Sequence, residues 1–353
     1  MHHLSWAEAS VVGLLQGASE LFPVSSLGHS VLIPALVGGS WARDLNVHDP
    51  ESPYLAFIVG LHVATAIALV VFFRRDWLRI VRGLGTSVRD REVVTSEQRL
   101  AWLLILATIP VGVSGLLLEH TLRTVLAKPV LTSLFLAVNG VILLAAERLI
   151  RRPTARTDRR DTTVAPAAAD RPRRPEPVPG AGTGTGADTA AAYHDRVTTA
   201  VPTSPSKEPS DEAADEPTDG WASDERLARL PVGRAVLIGA AQIAALAPGI
   251  SRSGVTMAAG LTRGLDHEDA ARFSFLLATP VIAAAGLLKI PDLMGPLGNG
   301  IRGQVLLGSV LSGLGAYAAV RYLVRWFENR SLRPFGIYCL IAGLGCLAWF
   351  AIR

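Results

Sequence analysis

Cysteine is almost absent from this 353-residue chain. Its two examples, Cys339 and Cys346, stand seven residues apart in one apolar stretch, about 10 Å apart along a helix axis, too far to pair with each other. A disulfide between them is therefore excluded, and both thiols are read as facing lipid or core without a part in chemistry. Charge is scarce too: 18% of the residues are Asp, Glu, Lys or Arg, against 50% hydrophobic, which is the balance of a membrane protein. The net charge of +4 comes mostly from Arg at the ends of apolar segments. No basic stripe is interleaved with aromatics, so nucleic acid is not an expected partner. Residues 1–8 lack a basic n-region and no small-residue cleavage site follows, so no cleaved leader is expected.

What the chain has instead is long apolar runs. Six are long enough to cross a bilayer as helices: 54–73, 100–118, 129–150, 273–290, 304–324 and 334–352. They fall into two groups of three. Each group is preceded by an apolar segment broken in its middle by polar, Pro and Gly residues, 4–36 in the first half and 232–261 in the second. The arms of these segments are too short to span alone, so both are read as re-entrant helical hairpins.

Arginine sets the orientation. Arg74, Arg75, Arg79, Arg82, Arg89 and Arg91 lie in the loop after the first span; the third ends in Arg148, Arg151 and Arg152; the fifth leads into Arg321, Arg325, Arg330 and Arg333. The positive-inside rule places all three ends in the cytoplasm and both termini outside. Three spans per half is an odd number, so the halves have opposite topology. At an offset of 226, Gly13 matches Gly239, Gln16 matches Gln242, Ser25 matches Ser251 and Gly28 matches Gly254. The expected fold is an all-α polytopic membrane protein, an inverted-topology repeat of six transmembrane helices plus two re-entrant hairpins. Its parts are residues 1–150, a disordered cytoplasmic linker at 151–225, and residues 226–353. Almost nothing large and apolar stands in the linker to build a core.

The chemistry concentrates in the two elbows. The first reads Gln16-Gly-Ala-Ser-Glu20-Leu-Phe-Pro23-Val-Ser25-Ser26-Leu-Gly28-His29. Polar groups at that depth are costly, and such residues normally face a cavity and carry function. Gln16 and Glu20 share one helix face; Pro23 ends the first arm, and Ser25 or Ser26 caps the next, leaving N–H groups that favour anions. The second elbow reads Pro248-Gly249-Ile250-Ser251-Arg252-Ser253-Gly254-Val255-Thr256. Arg252 is a planar cation able to grip a phosphate through two hydrogen bonds, among close-approaching glycines and hydroxyl donors. Elsewhere the bland reading holds: His62 is a satisfied helix histidine, while Asp266, Glu268 and Asp269 are solvated at a span end. Trp77, Trp102, Trp326 and Trp349 are interfacial anchors.

These two elbows resemble the signatures of the undecaprenyl-diphosphatase family associated with bacitracin resistance. The first signature, Glu or Gln, then Glu four residues later, then Pro-Val-Ser-Ser-x-Gly-His, is met by Gln16, Glu20 and residues 23–29. The second, Pro-Gly-x-Ser-Arg-Ser-Gly-x-Thr, is met by residues 248–256. The resemblance covers both membrane halves, including the Arg272-Phe-Ser-Phe-Leu-Leu run and Pro280, and leaves out the linker. It implies hydrolysis of undecaprenyl diphosphate to the monophosphate and phosphate at the outer face of the bacterial inner (plasma) membrane, assisted by a divalent cation, Mg2+ or Ca2+. That recycles a lipid carrier for cell-wall synthesis.

On this reading Arg252 clamps phosphate and stabilises developing charge. Ser26 is the favoured nucleophile, and His29 is an acid or base or itself the phosphate acceptor. Glu20 is a metal ligand or base, with Gln16 beside it as a second ligand through its carbonyl oxygen but without charge. Ser25, Ser251, Ser253, Gly254 and Thr256 line the phosphate site. The expected partners are a polyprenyl diphosphate lipid and the membrane, with room for a homodimer. The rival function is a polyprenyl-phosphate transporter or flippase, since inverted repeats with broken helices serve many secondary transporters.

Overall fold

The computed structural model describes residues 4–45, 53–126, 128–150, 220–294 and 300–352. Residues 151–219, most of the expected linker, lie outside them. Among the described residues every regular element is helical.

The first hairpin is α1 (Trp6–Leu21) and α2 (Ser26–Val37). A capping box starts α1: Ser5 Oγ accepts from the Glu8 N–H at 3.2 Å, and Glu8 Oε2 accepts from the Ser5 N–H at 2.8 Å. Pro23 stops it, because the residue before a proline avoids helical backbone; Phe22 is extended. After α2 the chain turns through Gly38 and Gly39, both at positive φ, into the short α3 (Gly39–Asp44).

Helix α4 (Pro53–Phe72) occupies the first expected span and then bends by 87° into α5 (Arg74–Asp90). The arginine-rich stretch expected as a loop is thus an amphipathic helix. Its Ile80, Gly83 and Ser87 are buried, with Ser87 Oγ accepting from the Trp102 indole at 3.0 Å, while Leu78, Val81 and Val88 stay exposed. The next helices are α6 (Ser96–Leu126) and α7 (Pro129–Ile150). Helix α8 (Trp221–Ala228) begins inside the range expected as linker; its Ser223, Leu227 and Ala228 are buried, a role that composition could not reveal.

The second hairpin is α9 (Val232–Ala240), a 3-10 segment (Ala241–Leu246) and α10 (Arg252–Thr262). Three long helices follow: α11 (His267–Met294), α12 (Arg302–Asn329) and α13 (Arg333–Ile352). Among the described residues, five helices are long and apolar enough to cross a membrane on their own. The number rises to seven if the two bent pairs, α4 with α5 and α8 with α9 and its 3-10 extension, each count as one span.

The halves pack crosswise. Helix α1 of the first half lies along α12 of the second, and α9 of the second lies along α6 of the first. Lipid offers helices no hydrophobic drive to associate, so small residues that let backbones approach matter more. Gly13 and Gly17 on α1 face the backbone of Gly308 and Ser312 on α12; a Cβ on Gly13 would come within 2.5 Å of the Gly308 carbonyl. Gly239, the partner of Gly13 at the 226-residue offset, sits against the Ala107 carbonyl of α6 in the same way. The last spans of the halves, α7 and α13, meet through Gly140 and Gly336, and α4 packs on α11.

Charged groups at one end of the bundle close this arrangement. Asp224 of α8 accepts from Arg272 of α11 at 2.8 Å and pairs with Arg79 of α5 at 3.3 Å, while Asp76 holds Arg79 at 2.5 Å and Arg272 at 3.1 Å. The guanidinium groups also lie over aromatic faces, Arg79 on Trp221 and Arg272 on Phe73. Asp269, expected to be solvated, is only 3% exposed. Arg226 grips it with two hydrogen bonds of 2.7 Å, and Ser223 donates a third at 2.5 Å. A buried carboxylate needs such partners.

Candidate active site

Both elbows are built on the same cap. In the first, Ser25 Oγ accepts from the Gly28 N–H at 3.1 Å and starts α2; in the second, Ser251 Oγ accepts from the Gly254 N–H at 3.2 Å and starts α10. The offset of 226 thus relates two equal pieces of backbone chemistry. They differ in strain: Ser251 has φ −85°, whereas Ser25 has φ +69°, a region costly for a side-chain-bearing residue.

The elbows touch. A Cβ on Gly28 would lie 3.0 Å from the Gly249 Cα, and one on Gly254 would lie 3.3 Å from Pro23. Gly249 itself, at φ +109°, faces the Thr132 carbonyl so closely that no larger residue fits. Asn139, from the middle of α7, joins the two tips. Its Nδ2 donates to the Pro23 carbonyl at 3.1 Å and its Oδ1 accepts from the Ser251 N–H at 3.1 Å.

Glu20 is the centre. Its Oε1 pairs with the Arg252 guanidinium across from the other hairpin. Its Oε2 accepts from Ser26 Oγ and from Gln16 Nε2, the latter at 2.9 Å. His62 of α4 joins them: its Nε2 is 3.7 Å from Glu20 and 3.3 Å from Gln16. Glu20 is buried, so its charge rests on these partners alone.

His29 faces elsewhere. Its Nδ1 lies 2.7 Å from the Ser25 carbonyl and its Nε2 lies 2.7 Å from the Tyr338 hydroxyl of α13, with the two rings nearly parallel. The hydroxyl of Ser26 is therefore engaged by Glu20 and not by His29. Among the remaining expected residues, Ser25 and Ser251 spend their side-chain oxygens on caps, although the Ser251 and Ser253 hydroxyls also lie 3.4 and 3.3 Å from the Phe22 carbonyl. Thr256 Oγ1 donates to the Arg252 carbonyl at 2.7 Å. Helix geometry leaves the first N–H groups of α2 and α10, including those of Ser26 and Arg252, without helical partners.

Three residues of this site stood out weakly or not at all in the sequence. His62 and Asn139 are polar groups in the middle of apolar spans, which is a signal of function that one residue alone carries faintly. Tyr338 carried none, since a tyrosine near a span end is ordinary.

For a divalent cation, the nearby donors are one carboxylate, the Gln16 amide oxygen, the His62 imidazole and the Ser26 hydroxyl. No group of three His, Cys, Asp or Glu forms a metal cage among the described residues. That donor set is within the habit of Mg2+, which keeps waters and binds through one or two carboxylates plus substrate phosphates, whereas Ca2+, which takes six to eight oxygens, would draw most of its shell from water and phosphate.

Comparisons with known proteins place the chain in a family. The chain matches the family described as bacitracin resistance protein BacA over residues 9–169 and 211–345. It is 55% identical to undecaprenyl-diphosphatase 1 of Frankia casuarinae over 370 residues, covering 100% of both chains. It is 56% identical to the undecaprenyl-diphosphatase of Mycolicibacterium paratuberculosis, covering 99% of each. It is 37% identical to undecaprenyl-diphosphatase 2 of Burkholderia thailandensis, covering 96% of this chain and 95% of that one. With the match running through both hairpins and nearly all of the spans, the chain belongs to the bacitracin resistance protein BacA family.

Proposed function

We propose that this protein is an integral-membrane phosphatase that hydrolyses undecaprenyl diphosphate to undecaprenyl phosphate and phosphate. That returns the lipid carrier to cell-wall synthesis and confers resistance to bacitracin. The observation that carries the reading is the single carboxylate of Glu20, which touches the Ser26 hydroxyl of its own hairpin and the Arg252 guanidinium of the other. A hydroxyl on a carboxylate beside an arginine is the equipment of phosphoryl transfer. A transporter needs the arginine but has no use for the hydroxyl and base.

In the proposed reaction the terminal phosphate of the lipid displaces Glu20 from Arg252 and takes the guanidinium fork and the free N–H groups at the starts of α2 and α10. Ser26 Oγ attacks the terminal phosphorus while Glu20 accepts its proton. The bridging P–O bond breaks, and undecaprenyl phosphate leaves with the electron pair. Water then attacks the phosphoserine, with His29 Nε2 taking the water proton; the Oγ–P bond breaks, Glu20 returns its proton to Ser26 Oγ, and phosphate leaves. Glu20 and Gln16, with His62 beside them, are the residues that would hold a divalent cation such as Mg2+, which would supply charge neutralisation on the diphosphate.

The fold proposed for this work is the inverted repeat of six spans and two re-entrant hairpins, with the elbows opening to the outer face of the inner membrane and the arginine-rich turns in the cytoplasm. What supports it is the paired caps at a constant offset and the crosswise packing of α1 on α12 and α9 on α6. Detergent-purified protein should release phosphate from a short-chain prenyl diphosphate, and Arg252→Ala and Ser26→Ala should not. Equal release from all three, or none from the wild type, defeats the reading.

A further inference from the structure

The His29 imidazole is held at both nitrogens, and the two holders are not alike. A backbone carbonyl can only accept, so the Ser25 carbonyl, 2.7 Å from Nδ1, requires the proton on Nδ1. In the neutral ring Nε2 is then a bare acceptor. The group facing it at 2.7 Å is the Tyr338 hydroxyl, which can donate. The ring planes differ by 6°, with centroids 5.8 Å apart, so the phenol also fixes the angle of the imidazole. His29 is 8% exposed, whereas Tyr338 is 46% exposed. The phenol ring is exposed on α13 while its oxygen reaches His29.

From this geometry we infer that Tyr338 is a positioning residue for the reaction: with the Ser25 carbonyl fixing the proton on Nδ1, its hydroxyl aims the His29 ring and keeps a partner on Nε2 in both protonation states. The inference rests on the phosphatase reading. A hydroxyl suits the task because it both donates and accepts. It donates to Nε2 of the neutral ring, yields its place to a water or phosphate oxygen, and turns to accept from Nε2–H once the imidazole has gained its proton. Neither phenylalanine nor lysine could follow the ring through both states. The partner comes from the last span of the second half, and so the phosphate chemistry of the first hairpin depends on a helix more than 300 residues away in sequence. Such outer partners fix the tautomer and aim of a working histidine in many sites, and their loss costs about 10- to 100-fold.

The test is Tyr338→Phe, which removes one oxygen and keeps the ring that stacks on His29. Purified wild type and variant are compared by steady-state phosphate release from a short-chain prenyl diphosphate and by 15N spectra of the histidine ring nitrogens, with His29→Gln used to identify the His29 signals. The expected result is a fall in kcat of about tenfold at unchanged KM and unchanged thermal stability. In both proteins the ring should stay protonated at Nδ1, held by the Ser25 carbonyl, while the Nε2 signal shifts in the variant on losing its hydroxyl partner. An unaltered kcat, or an Nε2 signal unmoved by the substitution, overturns the inference while leaving the phosphatase reading intact. If the wild type releases no phosphate, the phosphatase reading fails and the role in its reaction falls with it, while the ring-nitrogen signals still decide whether Tyr338 holds Nε2.

Discussion

The two elbows share a frame and divide the chemistry. Ser25 and Ser251 cap their helices on Gly28 and Gly254 in the same manner, and one asparagine ties both tips. At the same offset, however, Ser26 stands opposite Arg252, Glu20 opposite Leu246, and His29 opposite Val255. In the proposed reaction the first elbow supplies the acid–base and nucleophilic groups, and the second supplies the cation. Two like-capped elbows would suit that reaction because a phosphoryl group needs attack from one side and charge neutralisation from another. Two identical sites would supply either twice and neither together.

Breaking the division should have the largest effect. Arg252→Ala should lower phosphate release by about a thousandfold, and Arg252→Lys should recover only part, because a point charge cannot make the two-pronged contact. Protein of unchanged thermal stability in detergent would confirm that chemistry and not folding was lost. On the other elbow, Ser26→Ala and Glu20→Gln should each cost about a hundredfold or more in kcat. On the proposed mechanism Ser26 and Glu20 act as one unit, so the double variant should be scarcely worse than either single one; independent, multiplying losses would contradict the pairing.

The elbow motifs were legible in the sequence because polar residues inside lipid-compatible segments are costly and therefore conspicuous. Gln16, Glu20, Ser26 and Arg252 do come together, and the crossing of α1 with α12 has its small residues at regular spacing. Less was legible where one residue's role depends on a distant partner. Asn139 and Tyr338 give no local pattern, and Asp269 looks like any charge at a span end until Arg226 and Ser223 fold over it. The arginines after α4 were read for their charge, which says which side of the membrane they face. Their spacing with Ile80 and Ser87 also made a helix.

Smaller effects test the shared frame. Asn139→Ala leaves the Pro23 carbonyl and the Ser251 N–H without their partner and should cost about 2 kcal/mol of stability, with activity falling further than occupancy of the folded state explains. The caps should separate by sign. Alanine at Ser25 or Ser251 should each cost about 1 kcal/mol. Glycine should be nearly neutral or favourable at Ser25, where φ is positive, and costly at Ser251, where it is not. Equal responses to glycine at both positions would show that the strain at Ser25 carries no weight.

The seating of α1 on α12 has a consequence for biosynthesis. Residues 6–21 leave the ribosome long before residues 302–329, the surface they fit. The glycine-lined flank of the newborn first hairpin must therefore wait, shielded by lipid, translocation machinery or a provisional neighbour, until most of the chain has been inserted. A fragment ending before α12 should accumulate as a protease-sensitive species, and supplying the missing half as a separate polypeptide should protect it.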